Sequence, residues 1–259
     1  MNRSMLSLLA LLVATPALAQ NGAPPPPMFI TNVHKCDASK LEALVAHDRP
    51  RSGPIMQDLV NEGKISQGGM AVHAWGDEYN LLTWLGAADM DAAVAANEDV
   101  NARYDKAYPD DNLFIEVCPQ HRDYFWTRRV WTTADTPPPP AGEGNTPILA
   151  VSYYTCKFPE LAGIVEQYTE RGKPIAQALV SEGKLGSEGL YTHAWGDEWN
   201  LAITRTARDI PALVAALDTF GERFEAKYGE QSRSLLEEHC TAHKDNIYTM
   251  VMSTGAPAS

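Results

Sequence analysis

Imidazole, indole and two carboxylates stand close together at His73-Ala74-Trp75-Gly76-Asp77-Glu78, and the same six residues return at His193-Ala194-Trp195-Gly196-Asp197-Glu198. An imidazole titrates near neutrality and suits a general base, so His73 and His193 are the candidate catalytic residues. No orienting carboxylate can be assigned to either from the sequence. Two histidines on separate copies, without a placed carboxylate, do not read as a metal site, and neither metal nor cofactor is expected. The bland reading of the hexapeptide is structural. Gly76 and Asp77 form a turn, Glu78 is a solvated tip, and Trp75 packs with its indole N–H needing a partner. No G-x-S-x-G, P-loop, H-E-x-x-H or dinucleotide fingerprint occurs.

The hexapeptides lie 120 residues apart, which marks an internal repeat. The elements that hold them read alike in both copies. Phe29 to Lys35 and Leu149 to Thr155 are strands. Asp37 offers an N-cap for a helix carrying Leu41, Leu44 and Val45, matched by Leu161, Ile164 and Val165. Pro54 and Pro174 must kink that helix or start a second one. Gly63 and Gly183 serve as C-cap glycines. Two short strands follow, joined through a hairpin at Gly76-Asp77-Glu78 that sets Trp75 opposite Asn80 and His73 opposite Leu82. Asp89 and Asp209 cap another helix, with Val94 and Val214 on its apolar face. Arg103 and Arg223, on the same helix, read as surface salt-bridge partners. A final strand covers Asp123 to Trp131 and Asn246 to Met252.

Four cysteines, Cys36, Cys118, Cys156 and Cys240, fall one of each kind per copy. Symmetry selects Cys36–Cys118 and Cys156–Cys240 among the three possible pairings. The rival is a metal site, since Cys118-Pro-Gln-His121 and Cys240-Thr-Ala-His243 are both C-x-x-H, but haem attachment would need C-x-x-C-H.

Strand, helix, strand, strand, helix, strand is the βαββαβ ferredoxin-like order, here written twice. Two such units, each with helices on one sheet face, resemble a tandem form of the dimeric α/β-barrel superfamily. The resemblance rests on element order and length over nearly the whole mature chain. It implies an α+β fold with the two units packed sheet to sheet as an intramolecular barrel. It also implies a range of chemistries, from cofactor-independent oxygenases and isomerases to haem enzymes, among which fold alone does not choose. For a haem reading, His47 is the helical candidate, and Gln167 stands at its counterpart.

On this layout His73, Trp75 and Asn80 share one sheet face with Asn32 and His34, and His193, Trp195 and Asn200 share the matching face with Ser152 and Tyr154. Such a mixed surface suits the space between the sheets, where one small, partly apolar ligand would bind. The alternatives are an enzyme using a strand histidine, and a structural or interaction module without a ligand.

The chain bounds these readings. Arg3, the apolar run Met5 to Val13 and Ala17-Leu18-Ala19 read as a signal peptide over residues 1–19. This predicts a periplasmic or secreted protein with no membrane insertion. A Pro-rich leader (20–27), repeat one (28–131), a Pro/Gly-rich linker (132–147), repeat two (148–253) and a short tail (254–259) follow. The formal charge of −12, without a basic cluster, argues against nucleic acid as a partner. A fused pair already satisfies a two-fold contact, so a monomer with an internal pseudo-dimer is expected.

Overall fold

The structure is a computed structural model that describes residues 27–133, 147–196, 198–229 and 235–255. The expected signal peptide, the leader apart from Pro27, most of the linker and most of the tail lie outside the described residues.

The first half runs β1 (Met28–Lys35), α1 (Leu41–Asn61), β2 (Gln67–Trp75), β3 (Leu81–Ala87), α2 (Met90–Ala107), α3 (Leu113–Val117) and β4 (Gln120–Thr133). The second runs β5 (Ile148–Cys156), α4 (Leu161–Gln167), α5 (Lys173–Ser181), β6 (Ser187–Trp195), β7 (Leu201–Ala207), α6 (Ile210–Tyr228), α7 (Leu235–His239) and β8 (Cys240–Gly255). The strands close into one barrel in the order β1-β3-β2-β8-β5-β7-β6-β4, and every neighbouring pair is antiparallel. The halves therefore meet edge to edge, through the β2–β8 and β4–β6 ladders, as well as across the barrel interior. The long last strands make this possible. Each pairs with the first strand of its own half and then runs on beside the other half.

Local rules explain most elements. The Asp89 side chain accepts from Ala92 N at 2.8 Å and that of Asp209 from Ala212 N at 2.7 Å, each satisfying an orphan donor of its helix. Gly63 and Gly183 both sit at φ 72°, as C-terminal glycines should. Arg103 grips Glu62 and Arg223 grips Glu182 with two N–H···O bonds each, tying α2 to the end of α1 and α6 to the end of α5.

Other expectations need correction. Asp37 does not cap α1. It accepts from Ser39 in an Asx turn, and the helix starts at Leu41 without a side-chain cap. Pro54 leaves α1 unbroken, whereas Pro174 opens α5 after a π-helical turn over Tyr168–Gly172. Val94 and Val214 face outward, 39% and 50% exposed, because the small Ala93 and Ala96, and Leu213 with Ala216, take the sheet side.

Both expected disulfides form, Cys36–Cys118 and Cys156–Cys240. Each ties the end of a half's first strand to the start of its last, where β1 pairs with β4 and β5 with β8.

The barrel interior is packed with residues of both halves: Phe29, Val33, Leu82, Tyr124, Trp126, Val151, Tyr153, Tyr191, Trp199 and Tyr248 among them. Gly69 and Gly189 hold the same repeat position and make room for rings. A Cβ on Gly69 would press into Trp84, and one on Gly189 would lie 2.7 Å from the Tyr191 ring. Eight strands give a barrel just wide enough for side chains to fill. The helices cover the outside over further cores, and the last strand of each half contributes to the other half's core, Met252 to the first and Val130 to the second.

Candidate functional site: the mouth of the barrel

The barrel end that carries the disulfides also carries both hexapeptides. The ends of β1, β2, β5 and β6 and the starts of β3, β4, β7 and β8 meet there. A cavity of about 20 Å³ opens there, lined by Val33, Asp77, Tyr79, Arg122, Tyr124, Tyr153, Trp199, Lys244 and Asn246. That volume holds about one water molecule. The lining comes from both halves, and its chemistry repeats. The Arg122 guanidinium lies 4.9 Å from the Tyr79 ring centre, and the Lys244 ammonium lies 5.8 Å from that of Trp199. These are matching repeat positions. Each cation also meets a carboxylate of the opposite half's hairpin. Lys244 Nζ is 2.8 Å from Asp77 Oδ2, and Arg122 donates to Glu198 Oε1 at 3.0 Å.

Asp77 is thus more than a turn residue. Its Oδ1 accepts from Tyr79 N at 3.0 Å, shaping the loop, and its backbone N–H donates to Asn246 Oδ1 at 3.2 Å. Gly76 at φ 146° passes so close to Asn246 that a Cβ there would collide with the amide. Gly196 at φ 140° packs likewise against Asp123 O. The repeated hexapeptide is a clasp that docks each hairpin on the last strand of the other half. Asp197, the repeat counterpart of Asp77, lies outside the described residues.

The structure separates the residues that the sequence grouped together. His73 and His193 lie toward the mouth. His73 pairs in register with Tyr248, its ring 5.7 Å from the Tyr248 ring, and His193 pairs with Trp126 at 6.0 Å. Nε2 of each is buried without a hydrogen-bond partner. Burial lowers the His193 pKa, opposed by a backbone hydrogen bond at Trp195.

Trp75 and Trp195 do not pack. They are 73% and 72% exposed, because the ladder shifts register between His73 and Trp75, and between His193 and Trp195, which breaks the alternation that would carry them inward. The hairpin is also wider than a two-residue turn. Val72 faces Leu81, and His73 N donates to Asn80 O.

Asn80 and Asn200 serve the scaffold. Asn80 accepts from Cys36 N and donates to Cys36 O, both at 2.9 Å. Asn200 clamps Cys156 the same way, at 2.8 and 2.7 Å. Asn32, His34, Ser152 and Tyr154 face the helices, outside the barrel, since Phe29, Val33, Val151 and Tyr153 take the inner face of their strands. His34 packs on Phe114 and His121 and contacts Thr83, and burial pulls its pKa down to about 4, with His121 adding and Asp123 opposing.

Side chains of both halves fill the lumen. Tyr124 and Tyr248 are at most 1% exposed, and displacing any such side chain would forfeit about 1.5–3 kcal/mol. Sequence reasoning missed Tyr79 with Trp199 and Arg122 with Lys244. Their signal was chemical type kept between copies without identity.

No family model matches the chain, and no curated protein matches it. Solved structures do. A putative monooxygenase from Lactobacillus acidophilus NCFM superposes with a TM-score of 0.61 at 8% identity, covering 89% of this chain and 96% of that one. An anthrone oxidase-like protein gives 0.54 at 10% identity, covering 91% and 95%. Chlorite dismutase from Candidatus Nitrospira defluvii gives 0.53 at 8% identity, covering 91% and 93%. The chain has the dimeric α/β-barrel fold. At these identities the likeness is one of fold, and the neighbours' chemistry does not come with it.

The two outer layers of this dimeric α/β barrel differ. Under the π turn, Tyr168 donates to Glu188, and Arg205 Nε meets Glu188 Oε2 at 2.6 Å. Glu188 is 1% exposed. Burial opposes the Arg205 charge, but Glu188 and the nearby Tyr168 and Tyr154 outweigh it and hold the pKa above its ordinary value. The first half places Asp48, Gly68 and Leu85 at the matching positions. Asp48 is buried against Ser52 Oγ at 2.8 Å, and burial raises its pKa. Beside it, His47 turns its Nε2 to Asp111 Oδ2 at 3.4 Å, a carboxylate that also takes Tyr104. Among the described residues no group of three or more His, Cys, Asp or Glu is set to hold a metal ion, and no helix is long and apolar enough to cross a membrane.

Proposed function

We propose that this protein is an exported, single-chain pseudo-dimer of two ferredoxin-like repeats that binds one small ligand at the mouth of its barrel. The observation that carries this reading is the mouth cavity, built from both halves, with two repeat-related cation–aromatic pairs facing it. Barrel mouths and domain junctions are where small-molecule sites concentrate. The cavity admits one small group, and the rest of a ligand would lie on the rim beside the exposed Trp75 and Trp195. Export is supported by the signal-like start and by two disulfides, which persist in oxidising compartments.

A binding role fits better than base catalysis. Neither His73 nor His193 lines the cavity, and neither ring contacts a carboxylate among the described interactions. The oxygenase-type names of the structural neighbours therefore find no base at this mouth.

The test is a fragment screen by NMR on the mature protein, reading the indole N–H signals and including phenols, indoles and small carboxylates. Binding at the mouth should shift the Trp199 signal saturably and leave that of Trp131, near the far end of β4 opposite Gly189, in place. If no fragment moves Trp199, the reading is wrong.

A further inference from the structure

We infer that the disulfide-bearing end of the barrel is a docking surface for a polypeptide that is both basic and apolar. Exposure carries the first part of this. Among the described residues, four large apolar side chains are at least 70% exposed: Trp75, Ile115, Phe158 and Trp195. All four stand at this end. Trp75 and Trp195 close β2 and β6, Phe158 follows Cys156 at the end of β5, and Ile115 lies in α3, just before Cys118. The remaining exposed large apolar side chains, Val94, Val214 and Leu217, are at most 50% exposed and lie on α2 and α6. Single exposed apolar side chains are ordinary, but several gathered at one face and ringed by charge mark an interface. The strand order brings them together in pairs. Only β8 stands between β2, which ends in Trp75, and β5, which leads to Phe158. Ile115 leads into β4, which pairs directly with the strand of Trp195.

Charge supplies the second part. The segments at this end (35–40, 74–80, 109–123, 156–160, 194–196, 198–200 and 236–246) hold five Lys and Arg against twelve Asp and Glu. Three of those cations already meet carboxylates of the protein: Arg122 meets Glu198 at 3.0 Å, Lys244 meets Asp77 at 2.8 Å, and Lys40 lies 3.8 Å from Asp37. The surplus is acidic, and Glu78 and Glu116 are exposed within three residues of Trp75 and Ile115 in the chain. An acidic rim around aromatic anchors repels an anionic lipid surface and the same end of a second copy. It attracts lysine and arginine, whose long stems cover apolar surface and whose heads bind aromatic faces. Tryptophan is among the residues on which protein interfaces concentrate their energy. None of the four side chains lines the mouth cavity, so this surface and the small-molecule site stand or fall separately.

The experiment titrates the mature, disulfide-bonded protein by calorimetry with a synthetic amphipathic peptide of leucine and lysine and, separately, with its leucine and glutamate counterpart. The basic peptide should bind, more weakly as salt is raised, and the acidic one should not. Trp75→Ala combined with Trp195→Ala should weaken the basic peptide roughly 10-fold or more. Val214→Ser combined with Leu217→Ser, exposed on α6, should leave its binding unchanged. If the tryptophan variant does not fold, Ile115→Ser with Phe158→Ser gives the same reading. The inference falls if the basic peptide does not bind, if the acidic peptide binds as well as the basic one, or if both sets of variants at this end bind like the wild type. It also falls if phosphatidylcholine vesicles, and not the basic peptide, take up the protein through these tryptophans. A dimer in sedimentation that the tryptophan variant loses would make a second copy the occupant and overturn it too. A fragment that shifts Trp199 in a protein that ignores the basic peptide would leave the cavity reading standing.

Discussion

At the mouth, Tyr79 with Arg122 in one half and Trp199 with Lys244 in the other hold equivalent places, and each cation meets a carboxylate of the other half's hairpin. Beneath the helices the two halves have parted. Asp48, Gly68 and Leu85 in the first stand where the second has Tyr168, Glu188 and Arg205, and an unbroken α1 stands where the second half has α4, a π turn and α5. The likeness lies where the halves touch one another. A change in a clasp residue is felt across the β2–β8 or β4–β6 ladder, so both copies are held to one geometry. Each helix layer also rests on the last strand of the other half, Met252 under α1 and Val130 in the second half's core, but the polar contacts that differ, Asp48 with Ser52 and Tyr168 with Glu188 and Arg205, are made within one half, and there the copies could diverge.

The largest effect that would break this contrast is at Arg205. Removing it as Arg205→Leu leaves Glu188 buried without its cation and should cost about 3–5 kcal/mol in urea unfolding. The double variant with Glu188→Leu should regain most of that loss. A single-variant cost below about 1 kcal/mol would mean that the layers differ in residues but not in energetics.

Acid should separate the halves next. His34 is 8% exposed with a folded pKa of about 4 against 6.5 unfolded, and Tyr154 stands at its repeat position. Between these values the unfolded chain binds the proton and the folded chain does not. The contribution is therefore full above pH 6.5 and is lost as the pH falls toward 4, on the order of 3 kcal/mol in all. The variant His34→Tyr copies the second half's solution and should flatten that part of the stability–pH curve. An unchanged slope would show that His34 is not its source.

The smallest expected effect sharpens the likeness. Asn80→Ala and Asn200→Ala each strip two hydrogen bonds from a half-buried strand end and should each cost about 1–3 kcal/mol. Near-equal losses are expected. If one exceeds the other severalfold, the two clamps are not equivalent.

The sequence by itself determined what recurs along the chain. The offset repeat located the two halves, chose both disulfide pairings, and placed Asp89, Asp209, Gly63 and Gly183 at helix ends, because these depend on chain order and local backbone chemistry. The tertiary structure alone decided which side of each strand faces the lumen. Alternation on β1 leaves Asn32 with His34 and Phe29 with Val33 as equal claimants to that side, and only closure of the barrel, which needs the bulky apolar set inside, settles it. It also decided the fate of Trp75 and Trp195, since a one-residue shift between neighbouring strands reverses a side chain's direction and leaves no mark in the strand's own residues. The meeting of Arg122 with Glu198 and of Lys244 with Asp77 belongs to the same class: each pair joins residues far apart in the chain, brought together only when the last strand of one half crosses beside the hairpin of the other.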